Sequence, residues 1–390
     1  MSINLVGRDC CGCRTCKTVC KFNAISVITD KYGFEQMAVD TDKCIECGLC
    51  EKVCPILHVE NTTERYSCGA AYALDDDIKY QGSSGGLFGV FARRIILNGG
   101  CVYGAAFDED LKLKTTSAET LDDLVPLYKS KYLLCDTDDK FVEIKSRLDN
   151  GENVLYCSSP CQIAALNLYL KKSYENLLTV EFVCHGVGSQ TLFDRSIEYS
   201  QRKLSAKIKG VVFRHKNKKA SSHYYLYKCE RKDEVFNKQD LYLSFPYYNA
   251  YCKQLVCREG CYNCKYATEE RVADITIGDF HTIEKYDNSI DRFAGVSMFV
   301  CNSLKGETFF NSVKETLFVK PFEWNILKEN NRFHSDGSRP KEQHEFMESV
   351  ATESFEKTVN RYLRPIRDWK RLIYYKSPSF LRNIAKKFGR

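Results

Sequence analysis

One spacing of cysteines occurs twice near the start of the chain, in CCGCRTCKTVC at residues 10–20 and in CIECGLCEKVCP at residues 44–55. In each run, four cysteines are separated by two, two and three other residues. Such regular spacing is typical of thiols that bind a metal group together, because loop length sets where each sulfur can reach.

This spacing is that of bacterial proteins with two 4Fe-4S clusters. Three thiolates on one tight loop bind one cluster, and the fourth cysteine of the run binds the neighbouring cluster. The first cluster is therefore predicted to be held by Cys10, Cys13, Cys16 and Cys54. The second is predicted to be held by Cys20, Cys44, Cys47 and Cys50.

The segment resembles two-cluster bacterial ferredoxins beyond the cysteines themselves. Lys21 to Ile25 is similar to the family's Cys-Pro-x-x-Ala-Ile segment, although Lys21 replaces the usual proline. Zinc sites are the first alternative, but they usually use cysteine pairs with a longer spacer. Disulfides are the second, and they require export, for which we find no signal peptide in the sequence.

Composition limits what the rest of the chain can be. Its 390 residues are too many for one ordinary domain, and 44% of them are hydrophobic, which is enough for a sizeable core. Twenty-one cysteines without an export signal indicate reduced thiols in the cytoplasm. The net charge of +6 arises in the tail from Arg361 to Arg390, so the body does not suggest nucleic-acid binding.

After the ferredoxin segment, strand-like and helix-like stretches alternate. Turns rich in small residues lie between them at residues 83–86, 157–162 and 184–189. This rhythm predicts an α/β domain with a mixed sheet and helices, in which ligands collect at the carboxyl ends of the strands. The turn at 83–86 is a candidate phosphate site for a flavin, the alternative being an ordinary capped helix.

These turns make residues 68–285 similar to the beta-subunit family of coenzyme F(420) hydrogenases and dehydrogenases. The resemblance implies an iron-sulfur flavoprotein that transfers electrons between clusters and FAD, and between FAD and a substrate. The residues that match the family's motifs are Ser84, Gly85 and Gly86; Ser130, Lys131 and Tyr132; Ser159, Pro160, Cys161 and Gln162; and Cys184, His185 and Gly186. The family often has Gly-Asp-Phe-Trp where this chain has His281 in the tryptophan position.

Two kinds of role follow for those residues. The residues expected to bind cofactor are Ser84, Gly85, Gly86, Ser130, Lys131, Ser159, Pro160, Cys161 and Gln162. Cys184 and His185 are the catalytic candidates, since His185 can donate a proton to a reduced substrate. A structural histidine and a solvated Lys131 are the alternatives. Arg214 to Lys219 form a basic segment that suits an anionic substrate, or a solvated loop.

A third group of cysteines comes later in the chain. Cys257, Cys261 and Cys264 have spacing that suits three positions of another 4Fe-4S cluster. The fourth ligand stays open among Cys252, Cys161 and Cys184, and a zinc site or free thiols also fit the pattern.

The end of the chain is basic and amphipathic. Phe380, Leu381, Ile384 and Phe388 recur at helical spacing among lysines and arginines. This segment is expected to pack on its own domain or on a partner, or to contact an anionic membrane surface as a peripheral protein.

The sequence thus predicts a ferredoxin domain at residues 1–64, a flavin and substrate domain at 65–330 and a helical tail at 331–390. The predicted function is an oxidoreductase that relays electrons from two 4Fe-4S clusters to a flavin and on to an organic substrate, with surface-polysaccharide synthesis as one setting. The expected partners are a redox protein or reduced carrier and a small molecule. The alternatives are a deazaflavin-oxidising subunit of a larger complex and a relay subunit without flavin.

Overall fold

The computed structural model describes residues 3–59, 61–216, 223–232, 234–290, 294–330, 333, 339–365, 369–370 and 373. Its strands are β1 (Ile25–Thr29), β2 (Glu35–Val39), β3 (Ser67–Ala73), β4 (Cys101–Phe107), β5 (Leu113–Ala118), β6 (Val154–Ser158), β7 (Leu177–Phe182), β8 (Lys207–His215), β9 (Tyr224–Arg231), β10 (Glu234–Leu241), β11 (Ile275–Asp279), β12 (Ser297–Cys301) and β13 (Leu317–Pro321). Its α-helices are α1 (Thr15–Val19), α2 (Leu49–Lys52), α3 (Asp76–Gln81), α4 (Leu87–Leu97), α5 (Lys140–Asp149), α6 (Pro160–Leu170), α7 (Gln190–Leu204), α8 (Pro246–Cys252), α9 (Glu259–Tyr262), α10 (Leu304–Val313), α11 (Trp324–Asn330), α12 (Gln343–Thr352) and α13 (Phe355–Thr358).

The two cysteine runs lie in a small unit at the start of the chain. The antiparallel strands β1 and β2 pair in it, with Ile25 opposite Val39. The short helices α1 and α2 each begin next to the cysteines of one run. The apolar core of this unit is small and consists of Val6, Cys16, Ile25 and Cys54. The unit therefore depends on its cysteines for much of its interior.

A mixed sheet forms the centre of the larger part. Its strands follow the order β13-β3-β12-β11-β7-β6-β4-β5. The neighbours β4, β6, β7 and β11 are parallel, and the outer pairs are antiparallel. Because β6, β7 and β11 are parallel, the turns after Ser158, Phe182 and Asp279 meet at one edge of the sheet. The mixed α/β architecture predicted from the sequence is confirmed.

The helices α6 and α7 both follow a serine, but only one of these serines caps its helix. Ser189 caps α7, since its side chain accepts a hydrogen bond from the Leu192 amide. Ser159 occupies the corresponding position before α6 and Pro160 is the first helical residue, but the Ser159 side chain makes no capping bond. The Ser159 hydroxyl instead lies 3.4 Å from the sulfur of Cys161. The polar atom is thus directed toward a thiol.

A second, smaller sheet contains β8, β9 and β10 in antiparallel order. Its buried face shares one core with α7, α8, α12 and α13. The predicted amphipathic segment with Phe380, Leu381, Ile384 and Phe388 lies outside the described residues. Among the helices that the structure describes, none is both long and apolar enough to cross a lipid bilayer.

Candidate functional site

The first thiol set lines a cavity in the small unit. Its members are Cys10, Cys13, Cys16 and Cys54, and Cys11, Met37 and Pro55 also line the cavity. The amide of Gly12 donates to the Cys10 sulfur over 3.4 Å, and the Thr15 hydroxyl donates to the Cys13 sulfur over 3.4 Å. Thiols of both runs therefore converge here, in the combination expected for a cluster with cross-run ligation.

The second thiol set lines another cavity of the same unit. Its members are Cys20, Cys44, Cys47 and Cys50. The Ala24 amide donates to the Cys20 sulfur over 3.4 Å. In the described part of the chain, no three or more histidine, cysteine, aspartate or glutamate side chains converge closely enough for a metal ion. A 4Fe-4S cluster does not require its thiolates to meet at one metal ion, because each of the four thiolates binds a different iron.

A third thiol set forms at the edge of the large sheet. Its members are Cys161, Cys184, Cys261 and Cys264, and each pair among them interacts electrostatically. Cys161 lies in the first turn of α6, Cys184 follows β7, and Cys261 lies in α9. Burial, followed by the charges of the other three thiols, raises the pKa of Cys184 well above its usual range. Four thiols from three separate segments are thus brought together.

Cys257 is placed differently from its two neighbours in the sequence motif. Only 2% of it is exposed, and it belongs to the apolar core beside the small sheet. Its thiol donates to the carbonyl of His185 and to the side chain of Gln254, each over 3.7 Å. Its electrostatic partner in the third thiol set is Cys261. We therefore assign the candidate ligand role to Cys161, Cys184, Cys261 and Cys264.

The small unit docks directly against this third set. The thiol of Cys11 interacts with those of both Cys13 and Cys161. Next to this contact, the Thr137 hydroxyl donates to the Cys13 carbonyl over 2.8 Å. One side chain therefore connects the first thiol set to the third.

A basic cluster lies on the same side of the sheet as the 83–86 turn. It consists of Lys129, Arg214, His215 and Lys216. Arg214 binds Asp279 with both terminal nitrogens, over 2.5 and 2.7 Å. The charge of Arg214 holds the pKa of Asp279 well below its usual range, even though burial opposes this. The carboxylate of Asp279 is therefore already engaged.

Within the described part of the chain, the two lysines of the cluster bond to uncharged groups. Lys129 donates to the carbonyls of Tyr80 and Gly82, the latter over 2.9 Å. Lys216, 3% exposed, donates to the carbonyls of Ser84 and Ala294. Burial and then neighbouring cations lower the pKa of Lys129 to about 7 and that of Lys216 to about 6. An anionic ligand would relieve this repulsion.

The turn at 83–86 is itself held inside the protein. The Gly85 amide donates to the Ser297 hydroxyl over 2.8 Å, and its carbonyl accepts from the Ala73 amide. A side chain at Gly85 would lie 2.4 Å from the Ala71 carbonyl oxygen. Ser84 donates its hydroxyl to the Val296 carbonyl over 2.7 Å. Packing and backbone hydrogen bonds therefore account for the Ser-Gly-Gly sequence. The positive charge next to this turn comes from Lys129 and Lys216.

Other predicted binding residues also have partners within the protein. Ser130 bonds the Ser83 hydroxyl over 2.9 Å. Lys131 donates to the carbonyls of Pro126 and Tyr128, and burial lowers its pKa to about 7. Gln162 donates to the Cys135 carbonyl over 2.7 Å. Of these groups, Ser130 lies beside the 83–86 turn, whereas Lys131 interacts with Cys135 and Cys157.

Sequence reasoning missed two members of this region. It singled out Lys131 but not Lys129, which is the one near Arg214 and Lys216. It also gave no role to Asp279 as the partner of Arg214. The positive φ of 69° at Lys129, rare for a non-glycine residue, has no signature in a single sequence.

Comparison with protein families identifies two regions. Residues 9–56 match a 4Fe-4S dicluster domain. Residues 151–323 match the C-terminal domain of the beta subunit of coenzyme F(420) hydrogenase/dehydrogenase. The segments with Ser84 and Lys131 precede the second match. No curated protein matched the chain in a sequence comparison.

Among solved structures, a chain of the F(420)-reducing nickel-iron hydrogenase complex from Methanosarcina barkeri, in a xenon-derivatization study, is similar at 16% identity. The alignment covers 73% of this chain and 92% of that chain, with a TM-score of 0.47.

The dicluster domain and its thiols define the class of the molecule, an iron-sulfur protein of electron transfer. More particularly, the chain joins this domain to the C-terminal domain of the coenzyme F(420) hydrogenase/dehydrogenase beta-subunit family. The resemblance inferred from the sequence is confirmed.

Proposed function

We propose that the chain is an iron-sulfur flavoprotein oxidoreductase. In this proposal, it passes electrons between a redox partner and an organic substrate through three 4Fe-4S clusters and a flavin. The observation that carries the proposal is the contact of Cys11 with both Cys13 and Cys161, because it joins two thiol sets without an intervening domain gap. Electron carriers need such proximity, and ferredoxin units without it require a separate docking step.

The donor sets fit the clusters that we propose. Each set offers four thiols, and cysteine thiolates are the usual ligands of 4Fe-4S clusters. Bound clusters would supply one-electron transfer. The chain's own contribution is to hold the thiols on short loops and to direct donors such as the Gly12 amide and the Thr15 hydroxyl at sulfur. Such donors stabilise the negative charge of thiolates.

The basic cluster supports the flavin part of the proposal. A flavin would convert between one-electron transfer and two-electron substrate chemistry. Lys129 and Lys216 would bind its phosphate, since both are held near the 83–86 turn by backbone carbonyls. Burial strengthens the attraction of the ammonium groups for an anion. His185 remains the candidate proton donor to the substrate, which we expect to be a small anionic molecule.

Iron content tests the cluster assignment most directly. We expect about twelve irons per chain after anaerobic purification, corresponding to three 4Fe-4S clusters. Cys264→Ser should lose about four irons, because it removes a ligand of the third set. Cys257→Ser is the matched control from the same motif, and it should retain all of them. Equal iron content in both variants would contradict the assignment.

Flavin content separates the competing functions. Stoichiometric FAD or FMN, with reduction of the flavin by dithionite, would support the oxidoreductase. Oxidation of a reduced deazaflavin by the purified protein would instead identify a deazaflavin-dependent subunit. Full clusters without any flavin, even after reconstitution with FAD, would leave a relay protein and exclude the enzyme proposal.

A further inference from the structure

Arg258 occupies the boundary between the small unit and the third thiol set. It is 2% exposed and directly precedes α9. Its amide donates to the Val187 carbonyl over 2.9 Å, and its carbonyl accepts from the Cys261 amide over 3.0 Å. The backbone of Arg258 is thereby fixed between two segments that contribute thiols to the third set.

The side chain of Arg258 crosses from the larger part to the small unit. One terminal nitrogen, Nη2, donates to the carbonyl of Glu35. The other, Nη1, lies against the loop between Cys10 and Cys13, where a side chain at Gly12 would be 2.7 Å from it. The guanidinium also lies 5.9 Å from the ring centre of Phe34. It is therefore inserted beside the first thiol set.

The donors of this guanidinium are only partly used. Nε and Nη1 of Arg258 are buried and have no hydrogen-bond partner among the described residues. The nearby carboxylates of Glu35 and Asp136 pair with Arg14 instead, over 2.6 and 2.5 Å. A buried cation without an anionic partner is costly, which indicates that its partner is a group of negative charge at this boundary.

Arg258 interacts electrostatically with thiols of both sets. The guanidinium is an electrostatic neighbour of Cys10 in the first set and of Cys161 and Cys261 in the third. Bound 4Fe-4S clusters with four thiolates carry negative charge, and hydrogen bonds to their sulfurs and nearby charge set their potentials. The unpaired N–H groups and the donor sets thus fit clusters on both sides.

We propose that Arg258 is a positioning residue shared by two iron-sulfur clusters, donating hydrogen bonds toward sulfur and raising the reduction potentials of both. This inference rests on the proposed function. A charge shared by both clusters shifts both potentials in the same direction, so it leaves the driving force for electron transfer between them nearly unchanged. A purely mechanical clamp would act only through the Glu35 carbonyl.

Redox titration followed by electron paramagnetic resonance tests this. In Arg258→Gln, the midpoint potentials of two clusters should each fall by ~59 mV, which is a roughly tenfold change in a one-electron reduction equilibrium. The potential of the second cluster, which Cys47→Ser removes, should not move. Arg258→Lys retains the charge and should shift the potentials less. Arg195→Gln is the control, because Arg195 bonds the carbonyls of Val350 and Glu353.

A second measurement detects the guanidinium in the wild-type protein and compares it with Arg258→Lys. Wild-type protein labelled with 15N in arginine should show coupling between a guanidinium nitrogen and a reduced cluster in pulsed resonance spectra. Arg258→Lys should remove the share of this coupling that comes from Arg258, while any share from Arg14, which also lines the first cavity, should stay. Absence of the coupling in fully loaded wild type, or unchanged potentials in Arg258→Gln, would overturn the proposal.

Iron content distinguishes these failures from failure of the third cluster. With about eight irons, the third set does not bind a cluster and that part of the proposed function is wrong. The potential of the first cluster should still fall in Arg258→Gln, and if it does not, Arg258 has no role in tuning.

Discussion

At the scale of single residues, the lysines of the basic cluster connect charge to function. Lys216 lies close to Lys129 and Arg214. Burial, together with the charge of Lys129, lowers the pKa of the adjacent His215. The charge of Lys79 also lowers the pKa of Lys216, whereas the carboxylate of Asp279 raises it. The ligand-free site therefore disfavours the protonated lysine, and a bound phosphate would restore it.

The first prediction is that affinity for a phosphate-bearing flavin falls as the pH rises. The anion binds the protonated lysines, whose pKa values of about 6 and about 7 lie near neutrality without ligand. Above those values, protonation must accompany binding, so affinity should weaken by roughly tenfold per pH unit for each proton taken up. Fluorescence titration with FMN between about pH 6.5 and 9 measures it.

Riboflavin, which lacks the phosphate, is the control for that titration. Its affinity should stay nearly constant over the same range. Lys216→Met should weaken FMN binding and leave riboflavin binding almost unchanged. A parallel pH dependence of both flavins would place the phosphate elsewhere.

At the scale of elements, the contact of α9 with the small unit is close enough to leave no room for a side chain. A Cβ at Gly260 would lie 2.7 Å from the carbonyl oxygen of Asp9. Tyr266, just beyond α9, donates to the Pro55 carbonyl over 2.6 Å. Lys265 donates to the Ile56 carbonyl over 2.8 Å. This region therefore positions the first thiol set against the third.

The second prediction is that Gly260→Ala displaces the small unit without preventing cluster assembly. The clash of the new methyl group with Asp9 should lower the free energy of unfolding by about 1–3 kcal/mol, as overpacking does. Its relief should move Cys11 away from Cys161. Electron transfer from the small unit to the third set should slow, as measured by stopped-flow reduction. Glu259→Ala is the neighbouring control, because its carboxylate pairs with Arg339. Unchanged transfer with full iron content would contradict this function of the contact.

The third prediction concerns the turn before α4. Gly85→Ala should lower the free energy of unfolding by about 1–3 kcal/mol, because the added carbon meets the backbone of Ala71. Ser84→Ala removes only the hydroxyl that bonds Val296 and should cost about 1 kcal/mol. Urea unfolding of both variants measures the difference. Equal stability of Gly85→Ala and wild type would mean that the glycine serves a ligand instead.

The cysteine runs and the alternating α/β order could be predicted from the sequence, because loop spacing and strand-turn-helix patterns are local features of the chain. It did not separate Cys257 from Cys261 and Cys264, because spacing cannot tell which thiol faces a core and which faces other thiols. It left the partner of the third set open among Cys252, Cys161 and Cys184. That choice depends on parallel pairing of β6 and β7, a contact between distant segments.

At the scale of the whole molecule, stability should be uneven. The small unit has a core of few residues that includes two of its own thiols, whereas the large sheet is covered by several apolar clusters. In a unit of this size, metal binding usually supplies a large part of the folding free energy. The large sheet is stabilised along β3, β4 and β12 by its apolar clusters instead.

The fourth prediction is therefore that iron removal unfolds the small unit first. After anaerobic chelation, amides of β1 and β2 should lose protection from hydrogen exchange, while those of β4, β6 and β7 should remain protected. Loss of the third cluster alone, in Cys264→Ser, should leave β1 and β2 protected because their own thiol sets are intact. The hydrogen bonds that Thr137, Tyr266, Lys265 and Arg258 donate to carbonyls of the small unit contribute about 1 kcal/mol each, which is less than the binding of two clusters supplies. Full protection of β1 and β2 after chelation would show instead that docking on the large part is sufficient to fold the unit.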